Sequence, residues 1–289
     1  MFEGFALDFV DVGEAVLRVR HGGEGPPVVL LHGHPRTHAT WHRVAALLAP
    51  QHTVVCPDLR GYGQSTLPPD RPGHAQSSKR AMAADVVELM RSLGHERFAV
   101  AGHDRGSLVA MRAALDHREV ISRVVIMDGL PVVEHLERLN ERFVRDWWHW
   151  WFMGQTDKPA ERVICADPDA WYRTPPPEVL GPEAHADLWA ALRDPAVVHG
   201  MCEDYRAGLR VDRAHEEADR AAGRTIACPM LFLASAQDDI DIHGDPVAIW
   251  RPWVSGPLSS AVIDSGHHQA EEAPDAVAAE LLAFLTGEG

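Results

Sequence analysis

The sequence predicts an α/β protein: a mostly parallel sheet flanked by helices, with a helical segment inserted between two of its strands. Three observations carry this reading. Short apolar runs ending in polar residues recur along the chain, helical periodicities separate them, and the alternation stops between about Pro131 and Ala227. Strands of a parallel sheet are covered on both faces and read as continuous apolar runs rather than as alternating ones. Strand followed by helix, repeated, builds a sheet with right-handed crossovers.

The strand runs are "PPVVLLHG" at 26–33, "HTVVCPD" at 52–58, "RFAVAGHD" at 97–104, "RVVIMDG" at 123–129, "PMLFLAS" at 229–235 and "SAVIDSGH" at 260–267. Between Ala81 and Leu93, the residues Met82, Val86, Leu89, Met90 and Leu93 recur at spacings of three and four, which is one face of a helix. Ala273 to Phe284 reads as a helix too. The segment "TLPPDRPGHAQSS" at 66–78 reads as an exposed loop. The stretch without strands holds six of the nine tryptophans, Trp147, Trp148, Trp150, Trp151, Trp171 and Trp189, at helical spacings. It is read as a helical cap over residues 131–227, inserted into a core formed by residues 1–130 and 228–289.

Composition bounds the partners. A formal net charge of −15 with no basic stripe disfavours nucleic acid and anionic membrane. No stretch is apolar enough to span a bilayer, and the N-terminal residues lack the basic-then-apolar pattern of a secretion signal, so a cytoplasmic protein is expected. Four separated cysteines, Cys56, Cys165, Cys202 and Cys228, form no C-x-x-C pair, which points to reduced structural thiols and to no metal site.

The chemistry lies in "GHDRG" at 102–106. A strand breaks at a glycine, exposes a carboxylate, and resumes through a second glycine into a helix, which is the G-x-nucleophile-x-G elbow of α/β-hydrolases with Asp104 at the nucleophile position. A serine that attacked a saturated carbon would leave an ether with no easy exit. A carboxylate leaves an ester, which water can cleave at its carbonyl. Asp104 therefore points to carbon–halogen or epoxide opening rather than to ordinary esters. Taken alone, the same aspartate is equally well a helix cap on a surface loop. The loop "DSGHHQAEEAP" supplies the base in the chain order nucleophile, acid, histidine, and His267, directly after Gly266, suits that role better than His268. The orienting carboxylate is Asp128, Asp238 or Asp239. The H-G-x-P pattern after an early strand in "LLHGHPRTH" at 30–38, containing His34, resembles the turn that in α/β-hydrolases typically lines the pocket and places a main-chain donor there, and the same is expected here.

With these landmarks the chain resembles the haloacetate and fluoroacetate dehalogenases, nearly from end to end. The resemblance is carried by "HGHPRTHATWH", "DLRGYGQS", "GHDRG", "ALDH", "DWWHWWF", "DPDAWY", "MCEDYRAG" and "SGHHQAEEAP". It implies Asp104 as nucleophile, His267 as base and Asp128, rather than Asp238, as the acid. It also implies a halide cradle of His149, Trp150 and Tyr205, and a substrate carboxylate held by Arg105. Without the resemblance, an aromatic cluster on a helical insertion is ordinary packing. Indole, phenol and imidazole N–H or O–H groups are nonetheless the donors that a departing halide or a developing alkoxide needs.

Two departures from that family stand out. A second carboxylate-binding arginine, four residues after the nucleophile, is replaced by Leu108, and the usual H-G-F-P is H-G-H-P with His34 and then Arg36. Losing one charge-assisted contact costs about 1.5–3 kcal/mol, and Arg36 is the candidate to make it good. The leading reading is hydrolytic dehalogenation of short haloacids. The alternative is an epoxide hydrolase using the same machinery, for which Leu108 is an asset. A third, a ligand-binding protein without turnover, is disfavoured by the complete set of nucleophile, base and acid. Small-molecule substrate and water are the expected partners, no cofactor or metal is called for, and the resemblance allows a homodimer.

Overall fold

In the computed structural model, residues 1–158 and 160–287 are described. The strands are β1 (Ala6–Asp11), β2 (Val16–Gly22), β3 (Pro27–Leu31), β4 (Thr53–Pro57), β5 (Phe98–His103), β6 (Ile121–Met127), β7 (Met230–Ser235) and β8 (Leu258–Ile263). They form one sheet in the order β1-β2-β4-β3-β5-β6-β7-β8. β1 and β2 pair antiparallel, as do β2 and β4, and the remaining neighbours are parallel. All six strands expected from the sequence are present. The hairpin of β1 and β2 was not expected, and its chemistry explains why: β1 is almost wholly exposed, so no apolar run marks it.

Before β7 the helices are α1 (His42–Leu48), α2 (Lys79–Ser92), α3 (Arg105–Asp116), α4 (Val132–Glu137), α5 (Glu141–Asp146), α6 (His149–Met153), α7 (Ala160–Ala166), α8 (Pro168–Tyr172), α9 (Pro177–Leu180), α10 (Pro182–Leu192), α11 (Pro195–Ala207) and α12 (Arg213–Ala221). After it come α13 (Pro246–Trp250), α14 (Gln269–Glu272) and α15 (Pro274–Thr286). Strand side chains alternate between two apolar layers. Val29, Leu31 and Val100 pack with Met82, Val86 and Met111 of α2 and α3 on one face, whereas Val28, Leu30 and Ala101 pack with Val44, Val277 and Leu281 of α1 and α15 on the other.

The stretch between β6 and β7 is helical, α4 to α12, and its aromatic rings join the first of these layers. The 66–78 loop is only half exposed. Its second half is docked against α11, where Gln76 Nε2 donates to Glu203 Oε2 at 2.6 Å and His74 Nδ1 lies 2.8 Å from the same oxygen. The four cysteines are free. Among the described residues, no helix is long and apolar enough to cross a membrane.

Candidate active site

The elbow is built where β5 meets α3. Asp104 has φ 50° and ψ −118°, a backbone conformation rarely taken by a residue with a side chain. The strain is tolerated because its neighbours over-determine it. The Asp104 N–H donates to Met127 O at 3.0 Å, and a methyl group on Gly106 would overlap the carbonyls of Leu31 and His32. The carboxylate is lifted clear of α3 and met by a main-chain donor, the His34 N–H, 2.7 Å from Oδ1. Burial raises the Asp104 pKa, opposed by His267, by the Arg105 charge and by the main-chain N–H groups of Arg105 and His34.

His267 Nε2 lies 3.9 Å from Asp104 Oδ2, while Nδ1 is bonded to Asp238 Oδ2 at 2.7 Å. Burial alone would lower the imidazole pKa. The Asp238 hydrogen bond and the charges of Asp104, Asp238 and Asp128 outweigh it and bring the group up to about 9. The His268 ring packs beside His267, with centroids 5.1 Å apart, but its main-chain N–H donates to Glu272, its Nδ1 is buried without a partner, and it makes no contact with Asp104 like that of His267.

The carboxylate in contact with the imidazole is not the one that the resemblance implies. Asp128 was implied there, but Asp238 holds the imidazole, because the Asp128 oxygens are already taken. Asp128 accepts from the Ser235 N–H and Gln269 Nε2, both at 2.8 Å, and from the Ser235 hydroxyl. Asp128 stays close enough to act by charge, with one oxygen within 4.8 Å of both the Asp238 and the His267 ligating atoms. Burial raises its own pKa to about 6, although His267 pulls the other way. The third candidate, Asp239, accepts from Trp147 Nε1 at 3.0 Å.

The inserted helices bring a set of donors to this point. The Tyr205 ring, on α11, sits 5.2 Å from His34, 5.7 Å from His149 and 6.1 Å from Trp150, each edge to face. Trp150 and Tyr205 are buried, yet neither the indole N–H nor the phenol O–H has a protein partner among the described residues. Burial, with Arg105 and His267 nearby, lowers the His149 pKa to about 4, so this ring is neutral.

The family described as alpha/beta hydrolase fold matches residues 26–274. The chain belongs to the α/β-hydrolase fold family. A fluoroacetate dehalogenase of Burkholderia sp is 39% identical to it over 99% of this chain and 95% of its own length. A soluble epoxide hydrolase of Corynebacterium sp. (strain C12) is 30% identical over 99% of this chain and 95% of its own length. The crystal structure of an α/β hydrolase from Nostoc sp PCC 7120 is 38% identical and covers 99% of both chains, with a TM-score of 0.95. The dehalogenase resemblance is thereby shown, and this α/β-hydrolase is an enzyme of the hydrolase class.

Arg105, implied as the holder of a substrate carboxylate, is largely committed elsewhere in this hydrolase. Its Nη2 donates to Asp204 Oδ1 at 2.7 Å and to the Asp204 carbonyl at 2.9 Å, and its Nε reaches Oδ2 at 3.3 Å. Only Nη1 remains without a protein partner among the described residues. The guanidinium lies 4.4 Å from the Tyr205 ring centroid and packs against Gly208, where a side chain would collide with it. Asp204 also accepts from the Tyr62 hydroxyl at 2.7 Å and from Lys79 Nζ. The two cations hold the Asp204 pKa far below the carboxylate range in spite of complete burial.

Arg36 does not replace the missing arginine. Its Nε and Nη2 form a buried fork on Glu271 at 2.7 and 3.0 Å. Leu108 does face the site, and it lines a small cavity with Asp104, Arg105, Asp128, Leu130 and Trp150. Trp147 and His135 belong to the same wall and were missed. Tryptophan content pointed to the region but not to which rings face inward, and His135 is one of 18 histidines with no motif around it.

Proposed function

We propose that this chain is a hydrolytic dehalogenase of short 2-halo carbonyl compounds, the haloacids among them, and that residues 131–227 act as a cap over its nucleophile. The single observation that carries the reading is the Asp104 carboxylate at the elbow, with a main-chain donor on one oxygen and His267 facing the other. In the first step an Asp104 oxygen bonds the substrate carbon, and the halide leaves with the bonding pair into the donors of His149, Trp150 and Tyr205. In the second, His267 takes a proton from water, whose oxygen attacks the Asp104 ester carbonyl. The N–H groups of His34 and Arg105 stabilise the oxyanion, and the alcohol departs with the proton returned by His267. Asp238 orients the imidazole and Asp128 adds negative charge beside it. The reaction consumes one water and releases one proton and one halide.

An epoxide is the second reading. It is favoured by the apolar Leu108 and by the Tyr205 hydroxyl, which can donate to an opening ring oxygen, and it agrees with the soluble epoxide hydrolase among the relatives. Four free cysteines support action in a reducing compartment such as the cytoplasm. Single turnover in heavy-oxygen water tests the core of the proposal. The product hydroxyl is expected to carry the old Asp104 oxygen and the Asp104 peptide to gain the label, as read by mass spectrometry. Label found only in the product would sink it. Chloride release from chloroacetate against diol formation from styrene oxide then separates the two readings.

A further inference from the structure

The cavity beside Asp104 carries one polar ring for which the displacement chemistry has no use. Its wall is apolar and aromatic, from Leu108, Leu130, Trp147 and Trp150, and His135 is set into that wall. His135 is 2% exposed and lies flat on Phe143, with centroids 5.2 Å apart and planes at 10°. Its Nδ1 shares a hydrogen bond with His243 Nε2 at 3.0 Å. Nε2 is its remaining polar atom and has no protein partner among the described residues. Burial, with His243, Arg105 and Arg138 close by, keeps this ring neutral. Packing alone would be served by phenylalanine. An imidazole with one nitrogen tied off and the other left on a cavity wall is placed to meet a polar group, since an unmet one costs stability.

Charge narrows what that group can be. The carboxylates Asp104, Asp128, Asp204 and Asp238 stand around the site, with Asp239 behind Trp147 and Asp212 beside Lys79, against the cations Arg105, Lys79 and His267. A substrate carboxylate would add a further anion, and only Nη1 of an arginine already paired with Asp204 is open to it. A carboxamide has the same shape without the charge. Its carbonyl can accept from Arg105 Nη1, and its NH2 can donate to His135 Nε2 when the proton shared by the two rings sits on His135 Nδ1.

We propose that the preferred substrate is an uncharged 2-halo carbonyl compound, in its simplest form a 2-haloamide, whose amide is held between Arg105 and His135. This rests on the displacement chemistry proposed above. The Asp104 oxygen bonds the carbon next to the amide carbonyl, halide leaves with the bonding pair, and water cleaves the ester to give a 2-hydroxyamide, a halide and a proton.

Chloroacetamide and chloroacetate are matched in size and differ in charge. Halide release gives kcat/KM for both in the wild type, His135→Phe and Leu108→Arg, with Asp104→Asn protein subtracting background alkylation. The amide-to-acid ratio in the wild type is expected to exceed the ratio shown by a free thiolate by at least about tenfold. His135→Phe should lower that ratio about tenfold, the size of one lost hydrogen bond, chiefly through KM for the amide. Leu108→Arg should lower it by improving the acid. A wild-type ratio at or below the thiolate reference overturns the inference, and that comparison needs no variant to fold. A ratio unmoved by His135→Phe overturns it as well. Mass spectrometry of His267→Asn protein separates the levels. An adduct on the Asp104 peptide with an unfavourable ratio removes this inference alone, whereas no adduct from either probe removes the displacement reading beneath it.

Discussion

In the proposed mechanism, the raised pKa of His267 orders the two steps. With three carboxylates around it the imidazole stays charged until about pH 9, so it cannot act as a base while Asp104 is an anion. Ester formation removes the Asp104 charge, which lowers the imidazole pKa and frees the ring to activate water only once there is an ester to cleave. Each carboxylate left in place raises the pH needed for hydrolysis. Asp238→Asn should therefore shift the rise of ester hydrolysis to lower pH and also depress its plateau, because the ring loses the partner that orients it. Asp128→Asn should shift the rise in the same direction while largely sparing the plateau. Rapid-quench measurement of ester decay from pH 5 to 10 checks this, and the opposite pattern would restore Asp128 as the orienting acid. Asp104 and His267 were legible in the sequence because each sits in a local motif. The choice between Asp128 and Asp238 was not, because it depends on Ser235 and Gln269, two residues distant in the chain that claim the Asp128 oxygens first.

At the scale of elements, the elbow depends on how closely α3 approaches β3. Gly106→Ala would push a methyl group into the Leu31 and His32 carbonyls, atoms fixed in or beside a central strand that cannot move aside. A loss of about 1–3 kcal/mol is expected, the usual cost of overpacking, together with reduced ester formation as Asp104 is displaced. Urea denaturation and single-turnover labelling read the two effects, and an alanine variant of normal stability would show that the elbow is looser than described. The parallel strands were legible because burial on both faces leaves a continuous apolar run. The β1–β2 hairpin was not, since an exposed edge strand such as Ala6–Asp11 has no such signature. The 66–78 loop reads as exposed by composition, and its docking depends on the buried carboxylate of Glu203 on α11, distant in the chain, which meets both Gln76 and His74.

At the scale of the whole molecule, ionic contacts tie the inserted helices to the rest. His199 on α11 bridges Glu161 of α7 at 3.1 Å and Asp70 of the 66–78 loop at 3.2 Å. The Glu161 hydrogen bond and the Asp70 charge raise its pKa to about 9 against the opposing effect of burial. A folded-state pKa above the unfolded value gives stability that is complete below about pH 6.5 and lost as pH rises through about 9. His267 acts in the same window. The melting temperature should therefore fall between pH 7 and pH 9.5, and His199→Gln should flatten part of that fall. A melting curve with the same pH slope in both proteins would count against the bridge. The deeper tie between the two parts is Asp204. It is carried by α11, and it neutralises Arg105 of α3 and Lys79 of α2 directly behind the nucleophile. For engineering, this means that the helical insertion is not a portable module. A segment borrowed from another hydrolase to change the donors over the substrate must also bring a carboxylate to this one spot. Without it, the graft would leave the buried Arg105 cation unpaired, a fault worth about 3–5 kcal/mol, and Lys79 with only the longer contact to Asp212 at 3.9 Å, so that any new specificity would be masked by a destabilised site.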